Sequence, residues 1–331
     1  MTCMTRLIRR FPLVFAVGSL LAGVGSGYAA DISMTAGDTL GNSSFNSGLN
    51  WPGNVAPTAG NNYSNANFLL RTPANAASYT FQGDLLTITG GGLAAAANNE
   101  ALMWKGTGTS SVITVNNLVI NGGQLRQAQA SADSFTLAGA LAVGANGANM
   151  ATQGGMTVAS AISGSSTIRI LDNGNGEAAR VVTFSSGGNT FTGNIEMFAT
   201  GGNSARARLT LADNANLNFV IGADGVNNSV FGTGTVTYAG DFFFDLTGAG
   251  TTIGDSWAVS TPTVQSYGPT FTVNSFTDVG GDLWEKFENG VTYQFAEGTG
   301  TLSVVPEPAA FGLLAVGLAA AGASLRRRAA R

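Results

Sequence analysis

The sequence predicts an all-β fold, a right-handed parallel β-helix or solenoid with a β cap at each end. An N-terminal signal helix and a C-terminal transmembrane helix flank it, and a two-sheet β-sandwich is the competing architecture. Three observations carry this reading. Short apolar runs alternate with Thr, Ser and other polar residues, at the period of a half-buried strand. Gly, Asn and Ser interrupt them every few residues, and 47 of the 331 residues are Gly. Between Asp31 and about Leu302 no convincing amphipathic helix occurs.

Residues 1–29 read as a secretory signal peptide. Arg6, Arg9 and Arg10 precede an apolar run from Phe11 to about Gly25, and Ser26-Gly27-Tyr28-Ala29-Ala30 follows. Cleavage after Ala29 places Gly27 and Ala29 at the two positions that must be small, whereas cleavage after Ala30 would put Tyr28 there. The pattern predicts Sec export and removal by signal peptidase. Cys3 is the one cysteine, and it lies in the removed segment, so the mature chain has neither disulfide nor thiol chemistry.

Residues 30–240 are expected to form the solenoid body. Before Ala76, turn-forming Trp51-Pro52-Gly53 and Ala56-Pro57-Thr58 suggest a cap over the first coil. Trp51 and Tyr63 fit the core of that cap better than a sugar-stacking surface. The strand candidates are Ser78–Phe81, 85–88, 112–115, 118–120, 134–137, 141–143, 167–170, 181–184, 208–211 and 217–220. Asn between such strands can stack in ladders, although the spacing varies too much for a fixed repeat. Gly188-Asn189-Thr190-Phe191-Thr192-Gly193 resembles the unit of the autotransporter-associated β-strand repeat, with Phe191 where that family often has Tyr. The resemblance covers about 40 residues. It implies a β-helical surface scaffold and brings no catalytic residues.

Residues 241–304 are richer in aromatics and read as a terminal β cap that closes the solenoid. Gly254-Asp255-Ser256-Trp257, Tyr267-Gly268-Pro269-Thr270-Phe271 and Gly300-Thr301-Leu302-Ser303-Val304 occur in order. This series looks like the module that precedes sorting tails in many exported proteins. Val304 and Val305 are then expected to leave the fold.

Residues 305–331 combine three kinds of physics. Val305-Pro306-Glu307-Pro308 should be extended, because proline fixes φ and removes a backbone donor. The uncharged run from Ala309 to Leu325 is near the short limit for crossing a bilayer. Arg326, Arg327 and Arg328 then form a cytoplasmic basic stop. Together these resemble the PEP-CTERM sorting signal of Gram-negative bacteria, with Pro306, Glu307 and Pro308 matching its tripeptide. The resemblance implies processing by an exosortase, a transient inner-membrane anchor, and a final place at the cell surface or outside. It also implies an association with exopolysaccharide and biofilm.

Composition limits the chemistry. The full chain carries 15 Lys and Arg against 19 Asp and Glu. Without the seven arginines of the two terminal segments, 8 basic residues face 18 acidic ones through Val305, about −10. An acidic body argues against nucleic acid. Histidine is absent, which excludes Ser-His-Asp and Cys-His nucleophilic systems and histidine-bearing zinc sites. No sequence feature calls for a cofactor. Asp172 and Glu177, in Asp172-Asn173-Gly174-Asn175-Gly176-Glu177, are weak calcium candidates and read better as a turn. Asp241 and Asp245 read as strand-edge charges. The expectation is therefore a non-enzymatic scaffold without catalytic residues. A polysaccharide lyase or hydrolase and an adhesin are the alternatives.

Overall fold

The computed structural model describes residues 29–93, 99–172 and 176–306. They form an all-β molecule with a large parallel sheet, an arrangement consistent with a β-helix, and their only helices are short 3-10 turns. The parallel pairings place successive coils of the chain above one another in three stacks. The first stack begins Ala30–Ser33, Asn61–Ser64 and Leu85–Thr89, continues through 117–121 and 140–143, and reaches Ala161–Ser163. The second runs from Leu70–Arg71 and Ala101–Trp104 through Gln124–Gln127, Ala148–Thr152 and Ile168–Leu171 to Ile195–Phe198. The third runs from Tyr79–Thr80 through 111–115, 134–138, Gly155–Val158 and Val182–Phe184 to Arg208–Leu211.

Register keeps like residues above like. Tyr63, Leu86, Leu118, Leu141 and Ile162 form one inward ladder. Leu70, Leu102, Leu125, Met150, Ile170 and Met197 form a second. Ile113, Leu137, Val158, Phe184, Leu211 and Tyr238 form a third. All are buried. Burying each such side chain is worth roughly 1.5–3 kcal/mol, so the core is a column built one layer at a time. Coil length varies: Leu141 lies under Ile162, 21 positions on, while Leu86 lies under Leu118, 32 positions on. The variable part is loop, which explains the lack of a fixed sequence repeat.

Some strands bend from one stack into the next. Ser111–Asn121 and Ser134–Val143 each serve both the third and the first stacks, with a bulge between Val115 and Asn117. Gly139 occupies that corner at φ 106°, where a Cβ would lie 2.0 Å from the Val115 carbonyl oxygen, so only glycine fits. Polar ladders reinforce the column. Asn189 accepts from the Ile162 N–H (2.9 Å) and donates to the Asn216 carbonyl (2.9 Å), and Asn216 donates back to the Asn189 carbonyl (2.8 Å). Phe191 of the same stretch is buried in the core.

Both ends of the column are closed. At the first coil, Phe45 and Trp51 fold over Tyr63 and Phe81. Trp51 and Tyr63 are both core residues, and Trp51 Nε1 donates to the Ser44 carbonyl at 2.7 Å. Asp38, 5% exposed, pins this plug. Its carboxylate accepts from the Ser44 N–H and hydroxyl, the Asn50 amide and the Arg71 N–H, at 2.6–2.9 Å. At the other end the parallel stacking continues past residue 240, where the sequence reading began the terminal cap. Asp241–Asp245 pairs with Asn216–Val220 and then with Thr272–Val273, and Ser260–Tyr267 pairs with Val230–Tyr238. The antiparallel cap is made by Ser256–Ala258 and by strands from Thr277 onward.

Asn189→Ala removes the acceptor for a buried N–H and the donor to a buried carbonyl. Denaturant unfolding should show a loss of about 2–4 kcal/mol, with the slope unchanged. A loss below about 0.5 kcal/mol would mean that the ladder does not hold the coils.

Candidate processing site

The described chain ends next to the sorting tripeptide, and the last strand positions it. Thr301–Val305 lies between Ser256–Ala258 and Val291–Ala296 in a five-stranded antiparallel sheet. Alternation fixes its orientation, with Leu302 and Val304 buried and Thr301, Ser303 and Val305 partly exposed. Val304 and Val305 do not leave the fold as the sequence suggested: Tyr293 pairs with Val304 and Thr292 with Val305. The strand stops at Pro306, which has no N–H to continue the ladder.

The three sequence segments of this module each have a mechanical part. In the first, Asp255 closes a turn by accepting from the Thr252 N–H (3.0 Å), while its carbonyl accepts from the Val304 N–H (2.9 Å). Trp257 is fully buried and donates to the Ala223 carbonyl at 2.9 Å. In the second, Tyr267 and Phe271 pack at 4.7 Å and join Phe242, Phe295 and Trp284 in an aromatic cluster. That cluster welds the last coil to the antiparallel sheet. In the third, Gly300 sits at φ 65°, its carbonyl accepting from the N–H groups of Val259 and Ser260.

Beneath the cluster, the Tyr238 hydroxyl and Ser260 Oγ lie 2.6 Å apart, and Ser260 Oγ donates to Gln265 Oε1 at 2.7 Å. Burial pushes the Tyr238 and Tyr267 hydroxyls well above the ordinary tyrosine value, more than their contact with Ser260 lowers them. Both are therefore neutral core groups.

Of the other predicted residues, Ala29 is exposed just before the first strand, which starts at Ala30. Gly27, Glu307, Pro308 and Arg326–Arg328 lie outside the described residues, as does the apolar run 309–325. No helix among the described residues is long and apolar enough to cross a membrane. The Asp172 carboxylate accepts from the Thr200 N–H (2.9 Å) and hydroxyl and pairs with Arg206 at 2.9 Å. Glu177 pairs with Arg180 at 3.4 Å. Both carboxylates are thus engaged by the chain itself, and no cluster of three or more metal-ligating side chains occurs among the described residues. Asp241 accepts from the Thr272 hydroxyl at 2.5 Å. Hydrogen bonds from Thr247 hold the Asp245 carboxyl below its ordinary value. Both carboxylates face outward from their strand.

The family model of the PEP-CTERM protein-sorting motif matches residues 304–328. It therefore begins inside the last strand and covers the junction just described. The motif indicates an exported chain, anchored by its C-terminal segment before an exosortase processes it. No curated protein matches the chain.

Two outcomes follow from the module. Gly300→Ala combines a left-handed backbone with a Cβ 1.9 Å from the Ser260 carbonyl oxygen, and should cost at least about 2 kcal/mol. Limited proteolysis should then cut within 256–305 well before the coils, and equal protection to the parent would refute the role given to Gly300. The raised tyrosines set the alkaline limit. A tyrosine whose folded pKa lies above its unfolded value, about 10, contributes fully below that value and loses its contribution as pH rises past it. Tm should stay level from pH 7 to 9 and fall above about pH 10. A level Tm through pH 11.5 would contradict this.

Proposed function

We propose that this chain is a non-enzymatic structural protein of the cell surface or extracellular matrix. It is exported as a right-handed β-helical rod of the autotransporter-associated kind and is retained in the inner membrane by its 309–325 run. An exosortase cuts it at Val305-Pro306-Glu307-Pro308, and the rod then serves outside the cell in association with exopolysaccharide. The observation that carries this reading is the junction at Pro306. The sheet ends at Val305, the second residue of the matched motif, so the sorting tripeptide follows directly on a fixed body.

Two further features support a scaffold over a lyase or hydrolase. Shallow depressions of about 220 and 530 Å³ lie on the first stack, and one of about 370 Å³ lies on the paired strands Asn216–Val220 and Asp241–Asp245. Among the described residues, each of these is lined by one carboxylate, Asp31, Asp84 and Asp245 in turn; glycoside cleavage uses a pair at controlled separation. Second, the three buried ladders and the two plugged ends suit a durable rod.

The intact mass of the extracellular form tests the processing step. It should correspond to a chain that starts near Ala30 and ends within 305–308. Extracellular material that retains Arg326–Arg328 would overturn the proposal. Deletion of 306–331 should abolish membrane retention of the precursor. Incubation with matrix polysaccharide should leave polymer length unchanged. Chain shortening that disappears in Asp172→Ala or Glu177→Ala would replace the scaffold with an enzyme.

A further inference from the structure

The outer side of the first stack is open. Asp31, Asn62, Leu85, Asn117, Ala140 and Ser163 all point outward there, and none of them is buried. Register carries the row from coil to coil. Asp31 pairs with Asn62 and Asn62 with Leu85, and Asn117 pairs with Ala140 and Ala140 with Ala161. The same side continues past Ser163. The Thr190 and Thr192 N–H groups donate to the Ile162 and Gly164 carbonyls, both at 2.9 Å. The Asn189–Asn216 ladder then leads to Asn216–Val220, which pairs with Asp241–Asp245. Nine layers of chain thus stand on one line, and at about 4.8 Å a step they span roughly 38 Å.

The three depressions open along this line. The first two share Asn62 and Leu85, so they adjoin. Ala140, Ala142 and Ser163 line the second, and side chains that short leave a low floor. The third contains an aromatic ring. Phe242 and Phe244 turn inward to the cluster around Phe295, so Phe243 between them turns outward. Phe243 is partly exposed and makes no ring contact with any described residue. Thr190, Thr192, Asn218 and Asp245 stand around it. The Thr190 and Thr192 hydroxyls make no hydrogen bond with a described residue, and the Asp245 carboxylate is exposed. Among the described residues, no Lys or Arg lines any of the three depressions. An anionic chain would meet Asp31, Asp84 and Asp245 with no compensating cation, and like charges oppose docking.

We propose, resting on the matrix reading above, that this line is a binding groove for one chain of a neutral hexose polysaccharide. The chain lies along the axis of the coils, and Phe243 is its stacking platform. The apolar face of a sugar ring packs on a phenyl ring. Sugar hydroxyls both donate and accept, which suits amide, hydroxyl and carboxylate groups together. A lone carboxylate in each depression can accept from a hydroxyl but has no second carboxylate for glycoside cleavage, so the chain is held without being cut.

The test uses the full chain in detergent micelles, titrated calorimetrically with cellohexaose, maltohexaose and mannohexaose, and with oligogalacturonate as the acidic control. At least one neutral hexasaccharide should bind, and more tightly than oligogalacturonate. Phe243→Thr should weaken that binding about tenfold. It should leave the unliganded Tm unchanged, because Thr suits a strand and no ring contact is lost. Phe243→Trp should preserve the binding. Ala140→Arg, four layers from Phe243 or about 19 Å along the groove, should also weaken it. No binding of any neutral hexasaccharide, or affinity indifferent to Phe243→Thr, would overturn the groove and leave the sorting and scaffold readings intact. Affinity lost in Phe243→Thr but untouched by Ala140→Arg would overturn the axial path. Tighter binding of oligogalacturonate would overturn the choice of a neutral sugar. Shortening of a bound hexasaccharide would keep the groove and overturn the non-enzymatic reading.

Discussion

The structure depends on parallel register between successive coils. Each strand leaves its backbone N–H and C=O groups to the strand above and the strand below, so no coil is complete alone. The same register places Leu on Leu and Ile on Leu in three inward ladders. It also aligns Asn189 with Asn216, whose amides each satisfy the other's backbone. Loops between strands are free to vary because they take no part in that contract. The two terminal coils each have one unpaired side, and the chain uses different devices there. A buried carboxylate, Asp38, gathers a plug over the first, and an aromatic cluster around Phe242 and Phe295 fastens an antiparallel sheet onto the last.

Much of the first and third stacks was legible in the sequence. Leu85–Thr89, Val182–Phe184 and Arg208–Leu211 have one face in the core and one outside, so their residues alternate. Of the second stack, only 167–170, overlapping the strand Ile168–Leu171, was legible. Ala101–Trp104 is buried at all four positions, and Gln124–Gln127 at three of four. Cover on both sides removes the alternation that marks a strand, and Ala, Met and Gln give little β signal. Coils of 20 to 35 residues hid the repeat for the same reason that insertions are tolerated: only strand residues are bound by register. In the terminal module, Trp257, Phe271, Leu302 and Val304 carry the pattern that the sequence displayed, and all four are buried.

Charge shows what a composition conceals. A body at about −10 argues against nucleic acid, yet Arg71, Lys105 and Arg126 are drawn together by strand pairing from positions 34 and 21 residues apart. Sequence separation gave no sign of that meeting, because it depends on the lengths of two loops. Asp172 is the reverse case. Its acidic, glycine-rich surroundings made it a weak calcium candidate that read better as a turn, and the fold pairs it with Arg206.

The place of Thr301–Val305 in the middle of its sheet has a mechanical consequence. A chain tethered at its C-terminus feels any tension at Val305. Hydrogen bonds to Ser256–Ala258 on one flank and Val291–Ala296 on the other lie across the line of pull. Tension loads them together in shear instead of unzipping them singly, so the fold resists being peeled apart from that end.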